Sequence, residues 1–95
     1  ADIPDIHLMH RELPCSIEQK AGIMRQATEL SQNADSAEMI DGIKFWHGNS
    51  WALILPDSMR PVLHLYVEAQ TKEKTQLLLD RYINIINDIK QGGLK

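Results

Sequence analysis

Residues 51–69 read WALILPDSMRPVLHLYVEA. Two apolar runs, Trp51–Leu55 and Val62–Glu68, flank a loop bracketed by prolines, Pro56-Asp57-Ser58-Met59-Arg60-Pro61. The second run alternates. Leu63, Leu65 and Val67 fall on one side and His64, Tyr66 and Glu68 on the other, which is the period of a half-buried strand. Immediately upstream, Ile43-Lys44-Phe45-Trp46-His47 is also strand-like, and Gly48-Asn49-Ser50 is a hairpin loop. Met39 and Ile40 lead into Asp41-Gly42, a turn signal or a strand irregularity. Connections this short force antiparallel pairing, because a parallel pair needs a long crossover.

On either side of these strands lie helical patterns. At the start, Asp5–Leu13 alternates loosely as a strand that Pro14 stops. Ser16 then opens a helix. Its hydroxyl can accept the backbone N–H three residues on, while Gln19 reaches back to form a capping box. Ala21, Met24, Ala27 and Leu30 give the expected buried stripe, with Ile17 and Ile23 at its margins. Gly22 lowers helix propensity by roughly 1 kcal/mol against alanine, so its expected use is close packing of helix on sheet. The polar run Ser31–Ser36 should end the helix.

The last helix is expected from about Lys72 to about Gln91, capped by Thr71 and ended by Gly92-Gly93. Thr75, Leu78, Leu79, Tyr82, Ile86 and Ile89 form its buried stripe, and Glu73, Gln76, Asp80, Asn84, Asn87 and Gln91 its solvated one. The order is strand, helix, three or four strands, helix. Both helices need a common apolar surface, so they should share one face of the sheet. Trp46, His64 and Tyr66 are then candidates for the opposite, open face.

The totals narrow the function classes. The chain has 95 residues, 43% hydrophobic and 24% charged, which suits one globular domain with its own core. A net charge of −3 argues against a non-specific grip on nucleic acid. No apolar run approaches the roughly 20 residues of a membrane helix. No basic-plus-apolar leader opens the sequence, and the cytoplasm is the expected compartment. A single cysteine, Cys15, excludes an internal disulfide.

Individual residues offer little chemistry. Among the four histidines, His7 and His10 fall on opposite faces of a strand. No cysteine or carboxylate joins them at a ligand spacing, so no metal site is expected. Cys15 reads as a buried structural thiol. Ser58 lacks the context of a hydrolase elbow. Cross-strand packing accounts for Trp46 and Trp51. The loop is the remaining candidate. Its backbone N–H groups, the Ser58 hydroxyl and the Arg60 fork could face an anion, whereas Asp57 would repel one. No catalytic residue is expected.

The stretch from Asp41 to Glu68 resembles the C-terminal domain of the α-D-phosphohexomutases, the phosphomannomutase/phosphoglucomutase superfamily. That domain carries a loop of the form Arg-Pro-Ser-Gly/Asn-Thr-Glu-Pro, then an apolar strand ending Tyr-x-Glu-Ala. The matching run here is Leu55-Pro56-Asp57-Ser58-Met59-Arg60-Pro61, then Val62 to Tyr66-Val67-Glu68-Ala69. Asp41-Gly42-Ile43-Lys44 is similar to the Asp-Gly-Val-Lys approach of those proteins.

The resemblance implies an α+β fold, TBP-like, with an antiparallel sheet of four or five strands and two helices on one face in β-α-β-β-β-α order. It implies a part of a larger protein in sugar-phosphate and nucleotide-sugar metabolism. In active members the loop holds the substrate phosphate while a phosphoryl group moves between C1 and C6 of a hexose. The phosphoserine and Mg2+ that this needs lie on other domains, so no cofactor is expected here. The expected partners are the preceding domains and a hexose phosphate, with neither nucleic acid nor membrane.

The departures point to a degenerate grip. Leu55 stands where the superfamily has arginine, Asp57 for its serine, Met59 for its threonine and Arg60 for its glutamate. Charge-assisted hydrogen bonds are worth about 1.5–3 kcal/mol each, so losing several should weaken phosphate binding severely. Ser58, Arg60 and Asp57 remain the weak phosphate-site candidates, with Arg60 able to swing toward the anion from the loop's far end. His10-Arg11-Glu12-Leu13-Pro14-Cys15, with Glu18, Lys20, Gly22 and Met24-Arg25, resembles the mutase-like tail of mannose-1-phosphate guanylyltransferase-like proteins. That likeness implies a non-catalytic assembly or regulatory role beside a nucleotidyltransferase.

Overall fold

The structure, a computed structural model, describes residues 7–30, 36–40 and 42–91. Seven elements follow in order: β1 (His7–Pro14), α1 (Ile17–Leu30), β2 (Ser36–Ile40), β3 (Gly42–His47), β4 (Ser50–Pro56), β5 (Val62–Ala69) and α2 (Lys72–Lys90). The five strands form one sheet in the order β1-β5-β4-β3-β2, antiparallel throughout. Four strands therefore lie between the helices, the upper end of the expected range. The expected helix stop at 31–35, Asp41, and Gly92-Gly93 lie outside the described residues.

The alternation read from the sequence sets the two sides of the sheet. Ile43, Phe45, Ala52, Ile54, Leu63, Leu65 and Val67 are buried, and they form one core with Ile23 and Ala27 of α1 and Leu78, Leu79, Tyr82, Ile86 and Ile89 of α2. Both helices thus cover the same side. The buried stripe of α2 is the expected one, including Thr75, whose hydroxyl donates to the Thr71 carbonyl at 2.7 Å. Thr71 caps the helix by accepting from the Lys74 N–H at 3.1 Å. At α1 the capping box is formed as expected: Ser16 N–H donates to Gln19 Oε1 at 2.9 Å, and Gln19 N–H donates to Ser16 Oγ at 3.2 Å.

Two expectations for α1 are corrected. Among the described side chains of α1, Ile23 and Ala27, four apart, are the fully buried ones, while Ala21 is exposed and Ile17 is 77% exposed; the Leu30 side chain lies outside those described. The helix is rotated to bury isoleucine rather than Ala21, because burial scales with apolar area. Ile17, in the first turn, stays outside the core. Gly22 is not a point of close approach. A Cβ built there would meet only Arg25 Nη2, at 4.0 Å.

The close approach occurs instead at Gly42, which begins β3 beside β4. A Cβ there would collide with the Ile54 carbonyl oxygen and lie 3.0 Å from Leu55 Cα. Both obstacles are backbone atoms of a paired strand, so neither can rotate away. Gly42→Ala should destabilise the fold by about 1–3 kcal/mol, the usual range for overpacking. Gly22→Ala should stabilise it by up to about 1 kcal/mol through helix propensity. Urea unfolding of the two variants should shift the midpoint in opposite directions, and equal shifts would refute this assignment.

The β3–β4 turn is tighter than expected. His47 pairs with Ser50, leaving Gly48 and Asn49 as the turn and Ser50 inside β4. Gly48 has φ 62°, a left-handed conformation that glycine adopts without strain.

Candidate functional site

The Pro56–Pro61 loop closes on itself and on α1. Asp57 N–H donates to the Val62 carbonyl at 3.1 Å and Val62 N–H to the Arg60 carbonyl at 2.8 Å. Lys20 Nζ reaches over from α1 and donates to the carbonyls of Asp57 and Arg60, both at 2.6 Å. Cys15 N–H donates to the Pro61 carbonyl at 2.8 Å. Cys15 itself is 3% exposed, and burial pushes its thiol pKa up, in keeping with a structural role. The Asp57, Arg60 and Pro61 carbonyls are therefore held by Lys20, Cys15 and Val62, and the Met59 and Arg60 N–H groups are turned to a different partner.

What those N–H groups meet is the loop's own carboxylate. Asp57 Oδ1 accepts from the Met59 N–H at 2.8 Å and the Arg60 N–H at 2.9 Å. Its Oδ2 lies 2.9 Å from His64 Nε2 and 3.5 Å from Arg60 Nε. The His64 bond, followed by the two amide bonds, holds the Asp57 carboxyl far below the usual carboxylate range. Four donors thus converge on one internal anion. The two amide bonds make an Asx turn, and successive N–H groups turned to one oxygen are also how a loop can cradle a small oxyanion.

Arg60 is engaged twice. Its Nη2 donates to Glu12 Oε2 at 2.7 Å, and its Nε faces Asp57. The Arg60 bond lowers the Glu12 carboxyl pKa as well. The guanidinium that could swing toward an external anion is paired here with two carboxylates. Ser58 is exposed at the loop tip and, with Leu55, Pro56, Asp57 and His64, lines an open cavity of about 580 Å3.

Beyond the loop extends the side of the sheet without helices. His64, Tyr66 and Glu68 of β5 point there, as do Trp51 and Leu53 of β4 and Lys44 and Trp46 of β3. Trp46, His64 and Tyr66, the candidates for this face, alternate with buried neighbours on their strands. Trp46 and Trp51 are direct cross-strand partners. Lys44 Nζ lies 4.5 Å and 4.3 Å from their ring centroids, a cation–π contact with both. Trp51 Nε1 donates to Glu68 Oε1 at 3.0 Å. Cross-strand packing accounts for the two tryptophans.

Strand pairing also assembles a group that spacing along the chain does not reveal. β1 pairs with β5 so that His10 faces Tyr66 and Glu12 faces His64. His10 Nε2 is 3.1 Å from His64 Nδ1, and Glu12 Oε2 is 3.9 Å from that same nitrogen. The His10 ring stacks on Tyr66 with centroids 4.3 Å apart and planes 9° apart. The signal was present in the alternation of both strands, but reading it needs the register of a pairing between residues 54 positions apart.

No protein-family profile matches the chain. Among curated proteins, a probable phosphoglucosamine mutase of Methanopyrus kandleri is 28% identical over 87 residues, 90% of this chain and 19% of that protein. A probable phosphoglucosamine mutase of Pyrococcus horikoshii is 28% identical over 91 residues, 93% of this chain and 20% of that protein. The phosphoglucosamine mutase of Methanocaldococcus jannaschii is 26% identical over 89 residues, 92% of this chain and 20% of that protein. Over about nine-tenths of its length, this chain is similar to phosphoglucosamine mutases, and it spans about a fifth of theirs.

Proposed function

We propose that this chain is a phosphohexomutase-type domain of a larger sugar-phosphate protein, with a phosphate loop occupied by its own Asp57. The observation that carries this reading is the convergence of the Met59 and Arg60 amides, His64 and Arg60 on that carboxylate. An ionised oxygen pair there satisfies the donors a phosphate would use and repels a phosphate that approaches. The names of the relatives make a hexosamine phosphate the substrate class to test first. The phosphoserine and Mg2+ of phosphoryl transfer belong to other domains in this reading, and this domain contributes no catalytic group.

Titration calorimetry of the chain with glucosamine 6-phosphate and mannose 1-phosphate should give dissociation constants in the millimolar range or no heat. Micromolar binding of either would overturn the self-occupied loop.

A second reading is favoured by the same closure. Because the loop's donors are satisfied internally, the domain is complete without a ligand, as suits a non-catalytic module. Its parent would then be a nucleotidyltransferase of the guanylyltransferase type. The sequence preceding Ala1 in the parent separates the two readings: phosphoserine and metal-binding loops favour the mutase, and a nucleotidyltransferase domain favours the module.

A further inference from the structure

We infer that His10, Glu12 and His64 form a binding site for a transition-metal dication of the zinc class on the open face of the sheet. The group shares His64 with the loop read above as a phosphate loop, but its ligands come from two strands, β1 and β5, and its metal-facing nitrogen is the one that Asp57 does not touch. One atom from each of the three residues lies within 4.8 Å of the other two. Two imidazole nitrogens and a carboxylate oxygen, with a fourth position left for water or a small anion, are a common donor set for four-coordinate zinc. Imidazole ligands favour zinc, copper and nickel over magnesium and calcium.

The distances fit. A tetrahedron with metal–nitrogen bonds of about 2.0–2.1 Å has ligand atoms about 3.3–3.4 Å apart. The separation between His10 Nε2 and His64 Nδ1 is 3.1 Å. Glu12 supplies an oxygen within 4.8 Å of both ring nitrogens, 3.9 Å from His64 Nδ1 for Oε2, and closes that gap by side-chain rotation on metal binding.

Orientation supplies a second, independent argument. His64 Nε2 lies 2.9 Å from Asp57 Oδ2, a carboxylate that can only accept while ionised. In the neutral ring that bond makes His64 the Nε2–H tautomer, with the Nδ1 lone pair left on the side of His10. Metal-bound histidines characteristically donate their other ring N–H to a carboxylate in this way. The Tyr66 ring stacks on the face of the His10 ring and holds its plane. With His64 in that tautomer, His10 Nε2–H is the donor across the 3.1 Å to His64 Nδ1. A metal replaces that proton when His10 takes its Nδ1–H tautomer. Arg60 opposes binding through its 2.7 Å bond to Glu12. Its side chain is 54% exposed, so it can leave.

The test is titration of the chain with zinc chloride against a chromogenic chelator, repeated with cobalt(II) to read the visible bands of tetrahedral coordination. The expected result is one equivalent of zinc bound in the micromolar range, with tetrahedral cobalt bands and no response to Mg2+. His10→Ala and His64→Ala should each weaken zinc at least tenfold, and Asp57→Asn about 10–100-fold, as expected for loss of an orienting carboxylate. Arg60→Ala should tighten it several-fold by freeing Glu12, while His7→Ala should leave it unchanged. Circular dichroism of each variant checks that the fold is kept, and His64→Gln provides a milder replacement. Zinc binding unaffected by the His10 and His64 variants, or cobalt bound without tetrahedral bands, would overturn the assignment. A failure of Glu12→Gln to weaken binding would remove the carboxylate from it.

Discussion

Replacing Asp57 by serine is expected to tighten phosphate binding by the isolated chain about tenfold or more, on the scale of a charge-assisted hydrogen bond gained by the ligand. The variant removes the internal anion and leaves the donors. The Met59 and Arg60 amides lose the acceptor they hold at 2.8 and 2.9 Å, His64 loses its 2.9 Å partner, and Arg60 loses one of its two. An incoming phosphate can take all of them. The loop frame does not depend on the carboxylate alone, because Lys20 grips the Asp57 and Arg60 carbonyls and Asp57 N–H bonds Val62.

Asp57→Asn is the informative intermediate. It removes the charge but keeps an oxygen for the two amides, so its gain should be smaller than that of serine. Calorimetry with inorganic phosphate and with glucosamine 6-phosphate checks the order wild type, asparagine, serine. Equal affinities for all three would mean that Asp57 does not block the site.

The same carboxylate sets a pH dependence whose sign follows from linkage. Hydrogen bonds from His64 and the loop amides depress the folded-state pKa of Asp57. Its contribution to stability is therefore present above the unfolded pKa of about 4 and is lost only as pH falls through the lower folded value. Mild acid should not empty the site. Phosphate affinity of the wild type should stay weak at pH 5 even though an ordinary solvent-exposed carboxylate would have begun to protonate there.

Much of the architecture was legible because it depends on local periodicity. The stripe of α2, the alternation of β5, both helix caps and the sidedness of the sheet are each written within one element. The rotation of α1 was not, because Ala21, Met24, Ala27 and Leu30 and the observed Ile23–Ala27 pair are both helical patterns. The choice between them is made by the sheet beneath. The two glycines divide the same way. Gly22 and Gly42 look alike as letters, and only the neighbouring strand shows which lacks room for a Cβ. At the loop, the departures of Leu55, Asp57, Met59 and Arg60 from the motif it resembles were readable residue by residue. The capture of the loop amides by Asp57 and the meeting of His10 with His64 were not. Both depend on backbone direction and strand register, quantities that do not appear in a single segment.

Sidedness itself yields the largest stability contrast. Phe45 and Trp46 are adjacent on β3 and point to opposite sides of the sheet. Phe45 is 1% exposed, lies in the core beneath both helices and packs its ring 5.4 Å from that of Tyr82. Phe45→Ala should therefore destabilise the chain by about 3–5 kcal/mol, the range for deleting a buried aromatic, enough to unfold much of a marginally stable domain. Trp46 has the larger side chain, but it stands on the open face against Trp51 and Lys44. Trp46→Ala removes a cross-strand pair worth roughly 0.2–1 kcal/mol and a cation–π contact of about 0.5–1 kcal/mol. Its expected loss is about 1–2 kcal/mol. Chemical unfolding of the two variants should show the smaller residue to be the more important one, by about 1–4 kcal/mol. The reverse order would mean that the open face is not open, and that the sheet packs against something through its tryptophans.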